Sequence, residues 1–334
     1  MATTPAFDGV VRTEVIQTLL AELRERYVYP EVAGRMEEAI RSRLGSGEYD
    51  GLSEGEELAE ALTRHLREVS RDGHLRVRYG GEAPGAEEPE DDPARREAWR
   101  RLAAAGNFGF TRAERLAGNV GYLQVREFGG IEWAGDTVVA AMGFLAQTEA
   151  LIVDVRGNGG GDPATVALLS GYLFEGSVHL NDFVARDGGG VYQSRTSAFL
   201  PGRRYLGKPV YVLIGRETFS GAEEFAYNLQ ALRRATVVGA TSGGHAHPGR
   251  FFPIGRGFEA FIPNGRPVNP ITGTDWEGTG VIPDVAVPEE EALRAAHVAA
   301  LKGIRERIAR DPGGIPVSVA EEIGAALGGY ERGD

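Results

Sequence analysis

The chain of 334 residues contains no cysteine. Disulfides, thiol nucleophiles and cysteine metal sites are therefore excluded. Lysine is almost as scarce. Lys208 and Lys302 are the only two, so 34 of the 36 basic residues are arginine. A mechanism that needs a lysine base has only these two positions to draw on. The first residues, Met1-Ala-Thr-Thr-Pro-Ala-Phe-Asp8, lack a basic segment followed by an apolar core. Nor is there an apolar run of the roughly 18 residues that a membrane helix needs. No secretory leader and no membrane span are expected, and the expected location is cytoplasmic. Positive charge is also in deficit, with a formal net charge of −12. Nucleic acid and anionic lipid are thus not expected partners.

What is present is ordinary for a folded α/β protein: 42% hydrophobic and 25% charged residues. The length suits two domains or one large unit. Residues 9–79 read as mostly helical. Val15, Leu19, Leu20, Leu23 and Tyr27 form a first apolar stripe, and residues 32–44 a second helix closed by Gly45. Ser53 with Glu56 has the capping-box pattern for a third helix, whose stripe is Leu58, Leu62, Leu66 and Val69. Residues 74–79 alternate as a strand. Residues 80–96 are rich in Gly, Pro, Glu and Asp and read as a solvated linker. From about residue 107 strands and helices alternate, which predicts an α/β sheet built from crossover units. Residues 182–186 and 190–195 are expected to form one hairpin and 251–262 another, and 289–310 a C-terminal helix.

Two turns carry candidate chemistry. The apolar run Leu151-Ile-Val-Asp-Val155 reads as a buried strand, and Arg-Gly-Asn-Gly-Gly-Gly161 follows it. Such a turn is either a plain strand-to-helix connection or a cradle of N–H groups for an anion or oxyanion. No Gly-Lys-Ser/Thr follows, so it is not a phosphate-binding P-loop. The second turn is Thr218-Phe-Ser-Gly-Ala-Glu223, between a predicted strand at 210–214 and a helix from Gly221. Ser220 at a helix N-terminus is placed for nucleophilic attack, because the aligned peptide dipoles favour negative charge there. Ser220 and Glu223 equally fit a capping box.

Together these blocks resemble the C-terminal-processing, or tail-specific, serine peptidase family. The resemblance rests on Asp154-Val-Arg-Gly-Asn-Gly-Gly-Gly161, Thr218-Phe-Ser-Gly-Ala-Glu-Glu-Phe-Ala226 and Arg234-Ala-Thr-Val-Val-Gly239. It extends to Gly243-Gly-His-Ala-His-Pro248 and Gly280-Val-Ile-Pro-Asp284. The branch it is most similar to contains the modules of interphotoreceptor retinoid-binding protein, with the tricorn protease core as a more distant relative. The resemblance implies an α/β fold with a helical N-terminal subdomain (1–79), an acidic linker and helix (80–106) and a ββα-spiral, crotonase-like catalytic domain (107–334) that ends in a helix. About 30 residues separate Tyr79 from the first catalytic-domain strand, too few for a PDZ domain, so none is expected.

The resemblance also implies roles. Ser220 is the nucleophile. In one branch a lysine would stand at position 245, but this chain has His245 there, and neither Lys208 nor Lys302 matches. In the tricorn-like branch the partners are a histidine at the end of the helical region and a glutamate before the Gly-Val-x-Pro-Asp block. These positions hold His74 and Glu277. Gly160 N–H is the expected oxyanion donor, with Gly159 and Gly161 as alternatives, and Gly221 N–H is the second donor. His245 is the alternative base, and His247 is expected to shape the loop near Ser220. His245 and His247 lack a further ligand at metal-site spacing, so no metal and no cofactor is expected. The expected activity is hydrolysis of peptides or unfolded protein termini by a Ser/His/Glu triad. The alternative is a non-catalytic module that binds an apolar, retinoid- or fatty-acid-like molecule. The sequence does not specify an oligomeric state.

Overall fold

A computed structural model describes residues 8–80, 93–186 and 189–332. The elements begin α1 (Gly9–Arg26), α2 (Pro30–Gly45), α3 (Gly55–Ser70), β1 (Arg76–Tyr79), α4 (Pro93–Ala105), β2 (Phe110–Leu116) and β3 (Val120–Val125). Next come α5 (Ile131–Leu145), β4 (Ala150–Asp154), α6 (Pro163–Gly171), β5 (His179–Ala185), β6 (Val191–Arg195), β7 (Val210–Ile214) and α7 (Gly221–Ala231). The chain continues through β8 (Thr236–Gly239), β9 (Gly249–Gly255), β10 (Phe258–Pro263), β11 (Gly265–Val268), β12 (Val285–Ala286), α8 (Ala292–Arg310) and α9 (Val317–Arg332). The linker expected at 80–96 falls largely on residues 81–92, which lie outside the described residues, as do 187 and 188 of the first expected hairpin.

Two compact units divide the chain. The first combines Met1–Arg96 with Phe183–Tyr192 and His247–Val268, and the second combines Glu97–Asp182, Gln193–Ala246 and Asn269–Asp334. Residues 183–192 and 247–268, grouped by sequence with the catalytic segment, thus pack with the N-terminal helices. The physical reason is strand pairing. β1 is only four residues long and takes its partner from β10, with Val77 opposite Ala260 and Tyr79 opposite Phe258. β10 then pairs antiparallel with β9.

In the first unit, the Asp8 side chain accepts from Val10 N and Val11 N, both at 2.9 Å, and so caps α1. The face made by Val15, Leu19, Leu20 and Leu23 is buried against Met36, Ile40, Leu58, Leu62 and Leu66. The capping box of α3 lies one residue later than the sequence pattern suggests. Glu54, not Ser53, is the cap, and Glu57 takes the part expected of Glu56. Its Oε2 accepts both Ser53 N and Glu54 N. A carboxylate can accept both free N–H groups at once, which suits it to this helix start. α3 ends at Arg71, which takes the left-handed conformation with φ 61° and turns the chain into the segment that carries His74.

The second unit is built on a six-stranded sheet of order β12-β8-β7-β4-β3-β2, parallel except for the antiparallel edge pair β2–β3. Every residue of β4 is buried, as expected of a parallel strand covered on both faces. Leu151 and Val153 face Val138, Met142, Val166, Leu169, Phe225 and Leu229 of α5, α6 and α7. Ile152 and Leu213 face Ala296, Ala300, Leu301 and Ile304 of α8, with Ile323 of α9. α9 was not expected from sequence, because Gly324, Gly328 and Gly329 lower its intrinsic helix propensity. Burial of Val319, Ile323 and Leu327 supplies what propensity lacks.

Leu62→Ala is expected to destabilise the protein by about 2–5 kcal/mol, since Leu62 is fully buried between three helices of one core. Val10→Ala, at an exposed site, is expected to stay within about 0.5 kcal/mol of the parent. Urea midpoints of the two variants measure the difference.

Candidate active site

The two candidate turns leave neighbouring strands at the same edge of the sheet. β4 and β7 are parallel, with Asp154 opposite Leu213. In open α/β sheets the carboxyl ends of the strands form the ligand-binding edge. Hydrogen bonds tie the two turns together. Val155 N donates to Leu213 O at 3.0 Å and Phe219 N to Asn158 O at 3.0 Å. Thr218 Oγ1 donates to Val155 O at 2.9 Å and accepts Gly215 N at 2.9 Å. The base of the glycine turn is fixed by Asp154, whose buried carboxylate accepts from Arg156 Nη2 and Tyr122 Oη, both at 2.7 Å. Burial alone would raise the Asp154 pKa, but the hydrogen bonds from Arg156 and Tyr122 outweigh it and hold the group below its usual range.

Within the glycine turn, Asn158 reaches across with Nδ2 to Val125 O at 3.0 Å, and its Oδ1 accepts Gly160 N at 2.7 Å. The Gly160 N–H, expected to meet an oxyanion, is therefore engaged inside the turn. Gly160 has another part to play. With φ at 96° its Cα faces the serine turn, and a Cβ there would stand 2.8 Å from Ser220 Cβ and 2.9 Å from Gly221 N. Among the described residues, the N–H groups of Gly161 and Gly221 take part in none of the hydrogen bonds that build the two turns. Gly161 N is 3.2 Å from the position a Cβ on Gly221 would take.

Ser220 is half-buried at the N-cap of α7 with φ 52° and ψ −118°. A residue with a side chain pays roughly 1–3 kcal/mol for such a conformation, and it persists only when its surroundings enforce it. Glu223 enforces it here. Its buried carboxylate accepts Ser220 N at 2.9 Å, His245 N at 2.9 Å, Gly244 N at 2.6 Å and Ser242 Oγ at 2.6 Å. Ser242 Oγ in turn accepts Val281 N at 2.7 Å. The capping box anticipated for Ser220 and Glu223 is present in both directions, the Ser220 side chain facing the Glu223 main chain and the Glu223 side chain accepting the Ser220 main chain. Desolvation raises the Glu223 pKa, against the opposing pull of the Ser242 and backbone donors.

His245 and Glu277 also belong to the second unit. The His245 ring stacks on Phe219, with ring centres 4.3 Å apart and planes at 26°. Its carbonyl accepts Trp276 Nε1 at 3.0 Å. Glu277 Oε2 accepts Ala246 N at 2.6 Å, and Gly278 N donates to Gly244 O at 2.9 Å. The loops at 242–246 and 276–281 are therefore stitched to each other and, through Glu223, to Ser220. Lys208 is committed elsewhere. Its Nζ donates to Ala146 O and Thr148 O at the start of β7, whereas Ser220 follows the end of that strand. The five residues of β7 span roughly 16 Å. Lys302 is exposed on α8.

His74 and His247 lie in the first unit, where the structure brings them together around Asp72. Asp72 Oδ1 accepts His74 N at 2.9 Å and is 3.6 Å from His74 Nδ1. Asp72 Oδ2 is 3.3 Å from His247 Nδ1 and accepts Tyr27 Oη at 3.1 Å. His247 Nε2 is 3.4 Å from Tyr29 Oη. The His74 ring lies parallel to Phe261, 6.1 Å away at 23°. Sequence reading missed Asp72, Tyr29, Asn158 and the linking part played by Glu223. The one signal for Asp72 was its place two residues before His74 in a turn, the spacing of an Asx turn.

This is the architecture of a serine-type peptidase: a mixed α/β fold with a helical N-terminal region, a mostly parallel sheet, and a serine turn set against a glycine turn. The chain belongs to peptidase family S41, whose description matches residues 119–287. Residues 11–102 match the N-terminal domain of peptidase S41 in eukaryotic IRBP. Among solved structures, the chain is similar to a candidate peptidase from Parabacteroides merdae, with 20% identity, a TM-score of 0.62 and coverage of 87% of this chain and 96% of that one. The photosystem II D1 C-terminal processing protease shares 14% identity at a TM-score of 0.50, over 84% and 93% of the two chains. The tricorn protease shares 14% identity at a TM-score of 0.56, over 89% of this chain and 37% of its own. No helix among the described residues is long and apolar enough to cross a membrane.

Gly160→Ala should push the serine turn away, because the new methyl meets backbone and Ser220 Cβ, and Gly160 φ disfavours alanine. The expected result is a loss of serine-probe labelling of at least about tenfold, measured by intact-protein mass spectrometry. A second prediction concerns Glu224, which is fully buried beside Asn181 and whose carboxyl is pushed up to about 8 by desolvation. The unfolded chain ionises this group near 4.5 while the folded one stays protonated. Its contribution to stability is therefore present in full below pH 4.5 and is lost as pH rises towards 8. Glu224→Gln should match the parent at pH 4 and exceed it by roughly 4 kcal/mol at pH 8, read from denaturation midpoints at the two pH values.

Proposed function

We propose that the protein hydrolyses peptides or unfolded protein termini through Ser220, with His74 as general base and Glu277 as the carboxylate that orients it. The observation that carries this reading is the enforced backbone of Ser220. Strain in a residue with a side chain, at the ligand edge of a parallel sheet and opposite a glycine turn, is the mark of an exposed nucleophile. Neutral imidazole accepts the Ser220 proton as Oγ attacks the scissile carbonyl. The oxyanion that forms is met by Gly221 N–H and, in place of the engaged Gly160 N–H, by Gly161 N–H. Gly160 leaves the room in which that oxygen develops. The imidazolium then returns its proton to the leaving amine, and water repeats the sequence on the acyl-enzyme. The lack of a correctly placed lysine supports a histidine base, since Lys208 is committed to Ala146 O and Thr148 O.

The finer architecture belongs to the same reading. We take the second unit to be a ββα-spiral of the crotonase-like type without a PDZ insertion. The helices on both faces of its parallel sheet support this. A non-catalytic module for an apolar ligand is the competing reading, favoured by the match of residues 11–102 to the IRBP N-terminal domain. A pure binder has no need of a strained serine, so hydrolysis is preferred.

A fluorophosphonate probe on the full chain should label Ser220 stoichiometrically. Ser220→Ala should abolish labelling and lower peptide turnover by at least about 10³-fold while retaining the fold. Ser220→Gly should be equally inactive yet about 1 kcal/mol more stable, because glycine relieves the backbone strain. Unlabelled wild-type protein that still binds retinol would favour the competing reading.

A further inference from the structure

We propose that Asp72 is a positioning residue that serves two imidazoles at once, orienting His74 and fixing the tautomer of His247. This rests on the assignment of His74 as the base and adds to it a carboxylate other than Glu277.

The argument starts from the turn after α3. Arg71 turns the chain, Asp72 N donates to Ser70 Oγ at 3.1 Å, and Asp72 Oδ1 accepts His74 N at 2.9 Å. One oxygen is enough for that Asx turn, which Asn or Ser would also make. The second oxygen has no part in the turn. It faces His247 Nδ1 at 3.3 Å and accepts Tyr27 Oη. Both Asp72 and His247 are almost wholly buried, at 1% and 2% exposure. A buried carboxylate is costly unless ionic or strong hydrogen-bond partners compensate it. Burial alone would raise the Asp72 pKa, but the hydrogen bonds from His247 and His74 reverse this and hold it well below the usual carboxylate range.

An ionised carboxylate only accepts hydrogen bonds. His247 must therefore carry its proton on Nδ1, which leaves Nε2 to accept from Tyr29 Oη at 3.4 Å. The result is a directed chain, Tyr29 to His247 to Asp72, with the His74 main chain held at the far oxygen. His74 Nδ1, 3.6 Å from Asp72 Oδ1, feels the same negative charge. Phe261, stacked parallel to the His74 ring, restricts its rotation. Among the described residues of the first unit, Tyr27, Tyr29, His74 and His247 meet at this cluster, and the charge of Arg67 acts on Asp72.

The test uses the full chain and pairs kinetics with a direct titration. In Asp72→Asn the charge is lost and the shape kept. The acid limb of the kcat/KM profile should move down by about one pH unit, and turnover at neutral pH should fall roughly tenfold. His247→Gln frees the carboxylate from its second imidazole, so the limb should move up by a few tenths of a unit, opposite in sign. The imidazole titrations of His74 and His247, followed by NMR in the Ser220→Ala background, should show the downward shift in Asp72→Asn without reference to turnover. If Ser220 proves inert to the probe but these titrations shift, the peptidase reading fails and Asp72 keeps its electrostatic part. If Ser220 is reactive and a folded Asp72→Asn leaves both titrations and the acid limb unmoved, the proposal is overturned. Should Asp72→Asn not fold, His247→Gln decides alone: an upward shift sustains the proposal, and an unmoved limb overturns it.

Discussion

The Glu223 carboxylate holds the candidate site together. Four donors from two parts of the sequence converge on it: the main chain of Ser220, and from the loop at 242–246 the hydroxyl of Ser242 and the main chains of Gly244 and His245. Each hydrogen bond to a buried carboxylate gains strength from the low local dielectric. The set also orders segments that carry no regular structure of their own. Ser242 passes the constraint on to Val281, and Gly244 passes it to Gly278. The loop that bears Glu277 is in this way registered against the turn that bears Ser220, with no strand or helix in between. Removal of the carboxylate would leave several N–H groups without their acceptor and release the Ser220 backbone from its strained conformation.

The parallel sheet sets the scale on which this works. β4 and β7 are hydrogen-bonded neighbours in fixed register, so the turns that follow them begin within a few ångströms of each other. The glycine turn then spends its hydrogen bonds on itself, through Asn158 and Phe128, and presents a bare Cα to the serine. Glycine is required there for two separate reasons: a positive φ and the room that a missing Cβ leaves. The strain stored at Ser220 and the space left at Gly160 are two sides of one contact.

Much of this was legible in the sequence, and the exceptions have physical causes. The strand at 210–214, the helix from Gly221 and the stripe of α1 follow from apolar periodicity, which local sequence carries. The Ser220 turn and the glycine turn were recognisable because glycines and a strand-to-helix junction are local signals. Which N–H groups of the glycine turn are already engaged was not, because that depends on where the Asn158 side chain turns. The composition of the units was not legible either. β1 needs a partner from 258–261, and nothing within residues 74–79 says that its partner lies so far along the chain. α9 was missed because its glycines argue against a helix while burial of Ile323 and Leu327 argues for one. Tertiary packing overrides propensity in that contest.

The acidic groups show why side-chain identity alone does not assign roles. Asp72 and Glu224 are both buried carboxyls, and burial pushes both pKa values upward. Asp72 ends below its usual range because imidazole and main-chain donors surround it. Glu224 ends near 8 because, among the described residues, the Asn181 amide alone opposes its desolvation, and the nearby charge of Asp162 adds to it. At neutral pH one is a fixed negative charge and the other a neutral carboxylic acid. Number and kind of donors, not depth of burial, separate them. A charge that must stay in place to orient imidazoles is found where donors converge. The Glu224 carboxyl, on the helix that Ser220 caps, remains uncharged and adds no negative charge near the N-terminus of α7.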